Sequence, residues 1–158
     1  KRTLYYMDIA KKNSSTKILH GGNQSKGGEY KDGFYYQPTL LSGLPVNSLV
    51  CQEEVFGPVA CAIPFKSFDE VMKSANDTQF GLSAVLWTKD LSRALQFVDE
   101  IEAGFVQVNQ CVAPRANVSY GGIKMSGLGK EYAFDSMMNH FTQSKTVLIN
   151  RGKSNIDN

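Results

Sequence analysis

From Phe68 onward the apolar residues Phe68, Val71, Met72 and Ala75 fall at i, i+3, i+4 and i+7, the spacing of one face of a helix. Ser67 and Glu70 supply the Ser-x-x-Glu pattern that caps its amino end. A second stripe, Leu91, Ala94, Leu95, Val98 and Ile101, is opened by Asp90 and closed by Gly104, which predicts another capped helix. Around these lie apolar runs of strand length, Val59 to Phe65, Leu82 to Thr88 and Phe105 to Asn109. The order strand, helix, strand, helix, strand predicts right-handed crossovers and a mainly parallel sheet with flanking helices, an α/β architecture.

Outside this middle region the pattern is less regular. Leu4, Tyr5 and Ile9 read as part of an amphipathic helix rather than a loose terminus. The chain is therefore expected to begin inside a larger protein, a processed or recombinant small protein being the alternative. Lys17 to His20 reads as a strand stopped by Gly21 and Gly22, Asn23 to Gly33 as a surface loop or hairpin, and Phe34 to Leu41 as extended chain around Pro38. Downstream, Gly121 to Gly129 reads as a glycine-rich loop, Phe134 to Phe141 as a helix, Thr142 to Ile149 as a strand and Arg151 to Asn158 as a solvated tail.

Charge and composition narrow the partners. Seventeen basic residues are scattered among fifteen acidic ones, so no basic stripe exists to grip nucleic acid or an anionic membrane surface. No apolar run approaches the ~20 residues that span a bilayer, and the amino end lacks the apolar core of a signal peptide. A soluble, cytoplasmic protein is expected. Cys51, Cys61 and Cys111 are odd in number and lack metal-ligand spacing, which indicates reduced thiols rather than a disulfide framework or a zinc site.

Two phosphate motifs can be set aside. Gly129-Lys130 is followed by Glu131 where a P-loop needs Ser or Thr, and Tyr132 stands where a dinucleotide fingerprint needs glycine. The glycines at 121, 122, 127 and 129 are better explained by positive φ and close backbone approach. Glu54 is a different matter: a carboxylate ahead of Phe56-Gly57-Pro58, at the mouth of a strand, can accept two hydrogen bonds from the vicinal hydroxyls of a ribose. A surface acid beside a core phenylalanine is the competing reading. His20 and His140 have no acid or thiol at readable spacing and point to non-catalytic roles.

Three blocks give a resemblance. Glu53-Glu54-Val55-Phe56-Gly57-Pro58-Val59, then Ala75-Asn76 with Phe80-Gly81-Leu82-Ser83-Ala84, then Gly121-Gly122-Ile123-Lys124-Met125-Ser126-Gly127-Leu128-Gly129-Lys130-Glu131, in this order, are similar to signatures of the aldehyde dehydrogenase superfamily. Gln37-Pro38-Thr39, Ala103-Gly104, Val108-Asn109 and Lys145-Thr146-Val147 extend the likeness over residues 4 to 149. The chain thus resembles the C-terminal portion of an NAD(P)-dependent aldehyde dehydrogenase.

That resemblance implies an oxidoreductase that converts aldehydes to carboxylic acids, with NAD or NADP shared with an absent N-terminal domain and a small-molecule aldehyde as partner. It implies that Glu54 binds the nicotinamide-side ribose, that Phe56 packs near the nicotinamide and that Leu82 lines the same pocket. Val112, Pro114 and Tyr120 would face the aldehyde channel. Tyr120 stands where the family commonly has Phe, and Ser119 replaces a proline, so substrate preference does not carry over. Glu131 matches an acid at the inner end of the family's active site, though an ordinary ion pair would serve as well.

None of the cysteines lies in the family's nucleophile motif, which occurs upstream of all the sequence given, as does the water-activating glutamate. No catalytic residue is therefore expected in this segment, and the segment alone is expected to be inactive. Residues 1 to 141 would form part of the catalytic domain, 142 to 150 an oligomerisation strand of a homodimer or homotetramer, and 151 to 158 a tail. Two alternatives stay open: a non-catalytic assembly module that adds residues 142 to 149 to a partner sheet, and a relative that reduces acyl thioesters or acyl phosphates.

Overall fold

A computed structural model describes residues 1 to 150; the proposed tail, 151 to 158, lies outside the described residues. The fold is α/β, and the chain divides into two compact units, residues 1–79 with 95–101, and residues 80–94 with 102–158.

The first unit holds α1 (Arg2–Lys12), β1 (Lys17–His20), β2 (Thr39–Ser42), α2 (Leu49–Gln52), β3 (Val59–Ala62) and α3 (Phe68–Asn76). Its sheet has the order β1-β2-β3, with β1 antiparallel to β2 and β2 parallel to β3, Thr39 opposite Val59 and Leu41 opposite Cys61. Tyr6, Met7 and Ala10 of α1 pack with Leu41, Leu44, Val50 and Val55 in one hydrophobic cluster. The buried face of α1 therefore runs through Tyr6, Met7 and Ala10, whereas Leu4 and Tyr5 are exposed. The helix forms as expected, but its inward stripe is rotated from the one that Leu4 and Tyr5 suggested, because Tyr6 and Ala10 meet the sheet.

Capping follows the sequence closely. The Ser67 hydroxyl accepts from the Glu70 amide at 3.2 Å, and the Glu70 carboxylate accepts from the Lys66 amide at 2.8 Å, so both ends of the predicted box are made, one residue early on the return side. The strand expected over Val59 to Phe65 stops at Ala62, since Pro64 brings no N–H to a ladder. It is also half-exposed in alternation rather than wholly buried. The loop from Asn23 is hairpin-like, with Gln24 bridged to Tyr36 and a 3-10 turn at Gly28–Tyr30.

The second unit holds β4 (Phe80–Gly81), β5 (Ser83–Leu86), β6 (Phe105–Val108), β7 (Ile123–Lys124) and α5 (Phe134–Phe141). β5 and β6 pair in parallel, Ser83 opposite Phe105, as a connection through a helix requires; that helix, α4 (Leu91–Glu100), straddles the division between the units. Asp90 caps it, its carboxylate accepting from the Arg93 amide at 3.2 Å. Its stripe departs from expectation: Leu91, Leu95 and Val98 are exposed, and Phe97 is the buried residue. β4 pairs antiparallel with β7 from the glycine-rich loop.

Among the described residues the strands thus form three small sheets, one mixed, one antiparallel and one parallel, rather than one. Residues 142 to 150 carry no strand pairing among the described residues, and Val147, Leu148 and Ile149 are exposed.

Leu41 is fully buried while its neighbour Leu40, on the other face of β2, is 37% exposed. Leu41→Ala should lower unfolding free energy by about 2–5 kcal/mol through lost burial and the cavity left behind, and Leu40→Ala by well under that, as read from urea midpoints. Equal losses would mean that the register of β2 is wrong.

Candidate functional site

The acidic pair sits where α2 ends. Glu53 leaves the helix in extended conformation, its amide still donating to the Leu49 carbonyl at 2.9 Å. From there the chain turns through Phe56, whose φ of 52° is unusual for a residue with a Cβ, and re-enters order when the Pro58 carbonyl accepts from the Thr39 amide at 2.8 Å. Gly57 is needed for room: a Cβ there would lie 2.4 Å from the Thr3 hydroxyl oxygen.

Helix α1 holds this turn from the side. The Tyr6 hydroxyl donates to Glu53 Oε2 at 2.5 Å, and the Arg2 guanidinium donates twice to the Glu54 carbonyl oxygen, at 2.5 and 3.1 Å. Arg2 also lies 5.4 Å from the Tyr6 ring centroid. The bond to Glu53, and after it burial, raises the Tyr6 pKa above the ordinary tyrosine value.

The two acids are thereby given different employment. Glu53 is committed to Tyr6, while the Glu54 carboxylate is exposed and has no hydrogen-bond or ion-pair partner among the described residues. Both line a cleft of about 400 Å³ with Val50, Cys51, Phe56 and Cys61. Phe56 is 81% exposed, so the reading of Glu54 as a surface acid beside a core phenylalanine does not hold. The Cys61 thiol is pushed up to about 12, first by burial and then by the neighbouring Cys51.

Arg2 and Tyr6 were not singled out in the sequence. Their i, i+4 spacing does place them on one helix face, but nothing local names partners that lie 47 and 52 residues away.

The other expected site residues belong to the second unit. Leu82 lies between β4 and β5, exposed, its carbonyl accepting from the Phe105 amide at 3.0 Å. Val112 is half-buried, its amide donating to the side chain of buried Gln107 at 2.9 Å. Pro114 is half-buried in the loop that follows. Tyr120 packs edge-on against Phe105 and Tyr132, at 5.2 and 6.0 Å between ring centroids, and exchanges both backbone hydrogen bonds with Glu131, at 2.9 and 2.7 Å. The Glu131 side chain is exposed and makes no ion pair among the described residues.

The glycine-rich loop is shaped by backbone proximity. Gly121, Gly127 and Gly129 have positive φ, and a Cβ on Gly104 would fall 1.9 Å from the Gly121 carbonyl oxygen. Lys130 donates its ammonium hydrogens to the carbonyls of Gly121 and Gly122, at 2.7 and 3.1 Å. That lysine clamps its own loop, where a P-loop lysine would reach outward to phosphate.

Residues 1–147 match the family model described as the aldehyde dehydrogenase family. The chain is 40% identical over 149 residues to an aldehyde dehydrogenase of Rhodospirillum rubrum, covering 94% of this chain and 29% of that protein. It is 40% identical over 146 residues to aldehyde dehydrogenase B of Escherichia coli, covering 92% and 28%. A solved aldehyde dehydrogenase from Bacillus cereus in complex with NAD+ superposes with a TM-score of 0.84 at 30% identity, covering 96% of this chain and 30% of that one. The chain therefore spans less than a third of the length of these relatives. No helix among the described residues is long and apolar enough to cross a membrane.

The Tyr6–Glu53 bond has a pH signature. A raised folded-state pKa means that its contribution is complete below the ordinary value of 10.0 and is lost as pH climbs past it. Tyr6→Phe should therefore unfold at lower urea than the parent chain at pH 8, with the difference shrinking towards pH 11. A gap that is constant with pH would show that the hydroxyl contributes nothing through this bond.

Proposed function

The chain belongs to the aldehyde dehydrogenase family, and from that premise we propose that it is part of an enzyme that oxidises aldehydes to carboxylic acids with NAD(P)+, its Glu54 and Phe56 serving the nucleotide. The observation that carries this is the division of labour in the acidic pair: Glu53 is tied to Tyr6, and the adjacent carboxylate is left free on the wall of a cleft.

These residues fit such a group. A free carboxylate can accept from two vicinal hydroxyls at once, and charged hydrogen bonds of this kind are the stronger sort. Phe56, held at positive φ with its ring in the open, offers a flat apolar face at the rim. Backbone strain at a non-glycine residue, on the order of 1–3 kcal/mol, is retained where surrounding contacts dictate it, and it gathers at ligand sites. The bound nucleotide would supply the hydride acceptor. This chain would orient its sugar through Glu54 and cover one side of its ring through Phe56, and Leu82 would also serve the nucleotide.

On the substrate side, Val112, Pro114 and Tyr120 would border the aldehyde. The edge-on packing of Tyr120 between Phe105 and Tyr132 supports a fixed wall. The nucleophilic thiol and the water-activating acid would come from sequence outside these residues, as the short span of the relatives supports. Residues 1 to 141 would then belong to a catalytic domain. Residues 142 to 150, which belong to no strand among the described residues, would add to a sheet of a second copy in a homodimer or homotetramer. Extensive exposed apolar surface, including Trp87, Leu91, Leu128 and Phe141, favours further protein against this segment.

Glu54→Gln in the full-length enzyme should weaken NAD(P)+ binding about ten- to a hundredfold, because charged hydrogen bonds contribute about 1.5–3 kcal/mol and roughly 1.4 kcal/mol is a factor of ten. Direct titration of nucleotide measures it, and an unchanged dissociation constant removes Glu54 from the site. Phe56→Ala should leave unfolding stability within about 0.5 kcal/mol, the ring being exposed, yet reduce kcat/KM for the nucleotide. The 158-residue chain alone should form no NAD(P)H from any aldehyde; turnover by it would place the nucleophile among Cys51, Cys61 and Cys111.

A further inference from the structure

Two of the three cysteines meet in the cleft that carries Glu54. Cys51 belongs to α2 and Cys61 to β3, both are partly buried against the cluster of Tyr6, Met7, Leu41 and Val50, and both line the same 400 Å³ space. Cys51 is near enough to Cys61 to add, after burial, to the rise in its pKa. Cys111, by contrast, is exposed and lies in the other unit. We propose that Cys51 and Cys61 are a reversible dithiol–disulfide pair on the wall of this cleft, closed by a small oxidant of the hydroperoxide class that enters through it.

The chemistry balances with one peroxide. One sulfur attacks a peroxide oxygen, the O–O bond breaks, an S–O bond forms and the first water leaves; the second sulfur then displaces the sulfenic oxygen, forming S–S and releasing the second water. Two thiol protons and two electrons are lost by the protein and taken up by the peroxide. The order of attack is set by environment. Burial and the contact with Cys51 hold the Cys61 thiol protonated, and the thiolate is the nucleophile, so Cys51 attacks first and Cys61 resolves. Nine residues lie between the two cysteines in sequence, and the turn bearing Glu54 and Phe56 is among them. Closing the pair would join α2 to β3 across the base of that turn. A disulfide of this kind in a reducing compartment is transient and redox-sensing rather than structural.

The pair stands without any nucleotide; that its wall is shared with one rests on the function proposed above. The test uses the full-length protein treated with hydrogen peroxide, alkylated without reduction, and digested with trypsin and a protease that cuts after glutamate. Tryptic cleavage alone leaves both cysteines in residues 32–66, and cutting at Glu53 or Glu54 separates them, so a disulfide appears as two linked peptides two hydrogens lighter than their sum. That product is expected, reversed by dithiothreitol, and absent when oxidation is carried out in guanidinium.

Variants fix the order. Cys61→Ser should leave a sulfenic acid on Cys51 that dimedone labels, whereas Cys51→Ser should leave Cys61 an unlabelled thiol. Recovery of Cys51 and Cys61 both alkylated, while Cys111 is oxidised, overturns the pair. Saturating NAD+ should slow closure severalfold. Closure at an unchanged rate, with NAD+ shown bound, overturns the shared wall and the ribose reading with it while leaving the pair; nucleotide bound with no closure in its absence overturns the pair alone.

Discussion

A single hydrogen bond, from the Tyr6 hydroxyl to the Glu53 carboxylate, decides what the acidic turn can do. Two adjacent carboxylates at a helix end repel each other and compete for the same donors, so an arrangement that leaves one free supplies the other with a local donor. Tyr6 does this from a nearly buried position, and Arg2, one turn earlier on the same helix, fixes the backbone of the next residue. Because Tyr6 is also part of the hydrophobic cluster with Met7, Ala10 and Leu41, the position of the free carboxylate is inherited from the packing of α1 against the sheet. The candidate site is thus an extension of the first unit's core.

The second unit is assembled on a different principle. Among the described residues, none of the buried hydrophobic side chains belongs to it. Its order comes from parallel pairing of β5 with β6, the short β4–β7 ladder, the ion pair of Lys124 with Glu102, and the clamp of Lys130 on Gly121 and Gly122. Glycine is required there because chain passes against chain: at Gly104 even a methyl group would collide with a carbonyl. Polar and backbone contacts of this sort set geometry well but contribute little net free energy each, so Tyr120 and the loop beside it are positioned by a scaffold with small reserves.

Much of this was legible in the sequence, and the legible parts share a cause. Helices α3 and α4 announce themselves by period and cap, and Ser67, Glu70 and Asp90 act as their positions suggest. Strands β1 and β6 were bounded by glycine or polar residues. By contrast α2 spans four residues, too few for a period to show, and β7 spans two inside a glycine-rich loop; both exist through their partners, Gln52 donating to the Val46 and Asp77 carbonyls and Ile123 facing Gly81. The inward face of α1 runs through Tyr6, Met7 and Ala10, and packing favours the small residue where a helix meets its neighbours closely. At the site, the Phe-Gly-Pro turn and Glu54 were singled out from the sequence, but the bond that occupies Glu53 was not, since its partner Tyr6 lies 47 residues away.

Phe56 carries backbone strain within the turn. An aromatic residue placed at positive φ and left open to solvent gains nothing in folding free energy from its ring and carries a conformational cost as well. Glycine would remove that cost, and the adjacent Gly57 shows that the turn already uses glycine where space demands it. A ring left open at a position of positive φ, beside a carboxylate that makes no bond of its own among the described residues, is the feature on which the proposed nucleotide role rests. The same turn lies between Cys51 and Cys61, so covalent closure of those thiols would act on the segment that carries Glu54 and Phe56.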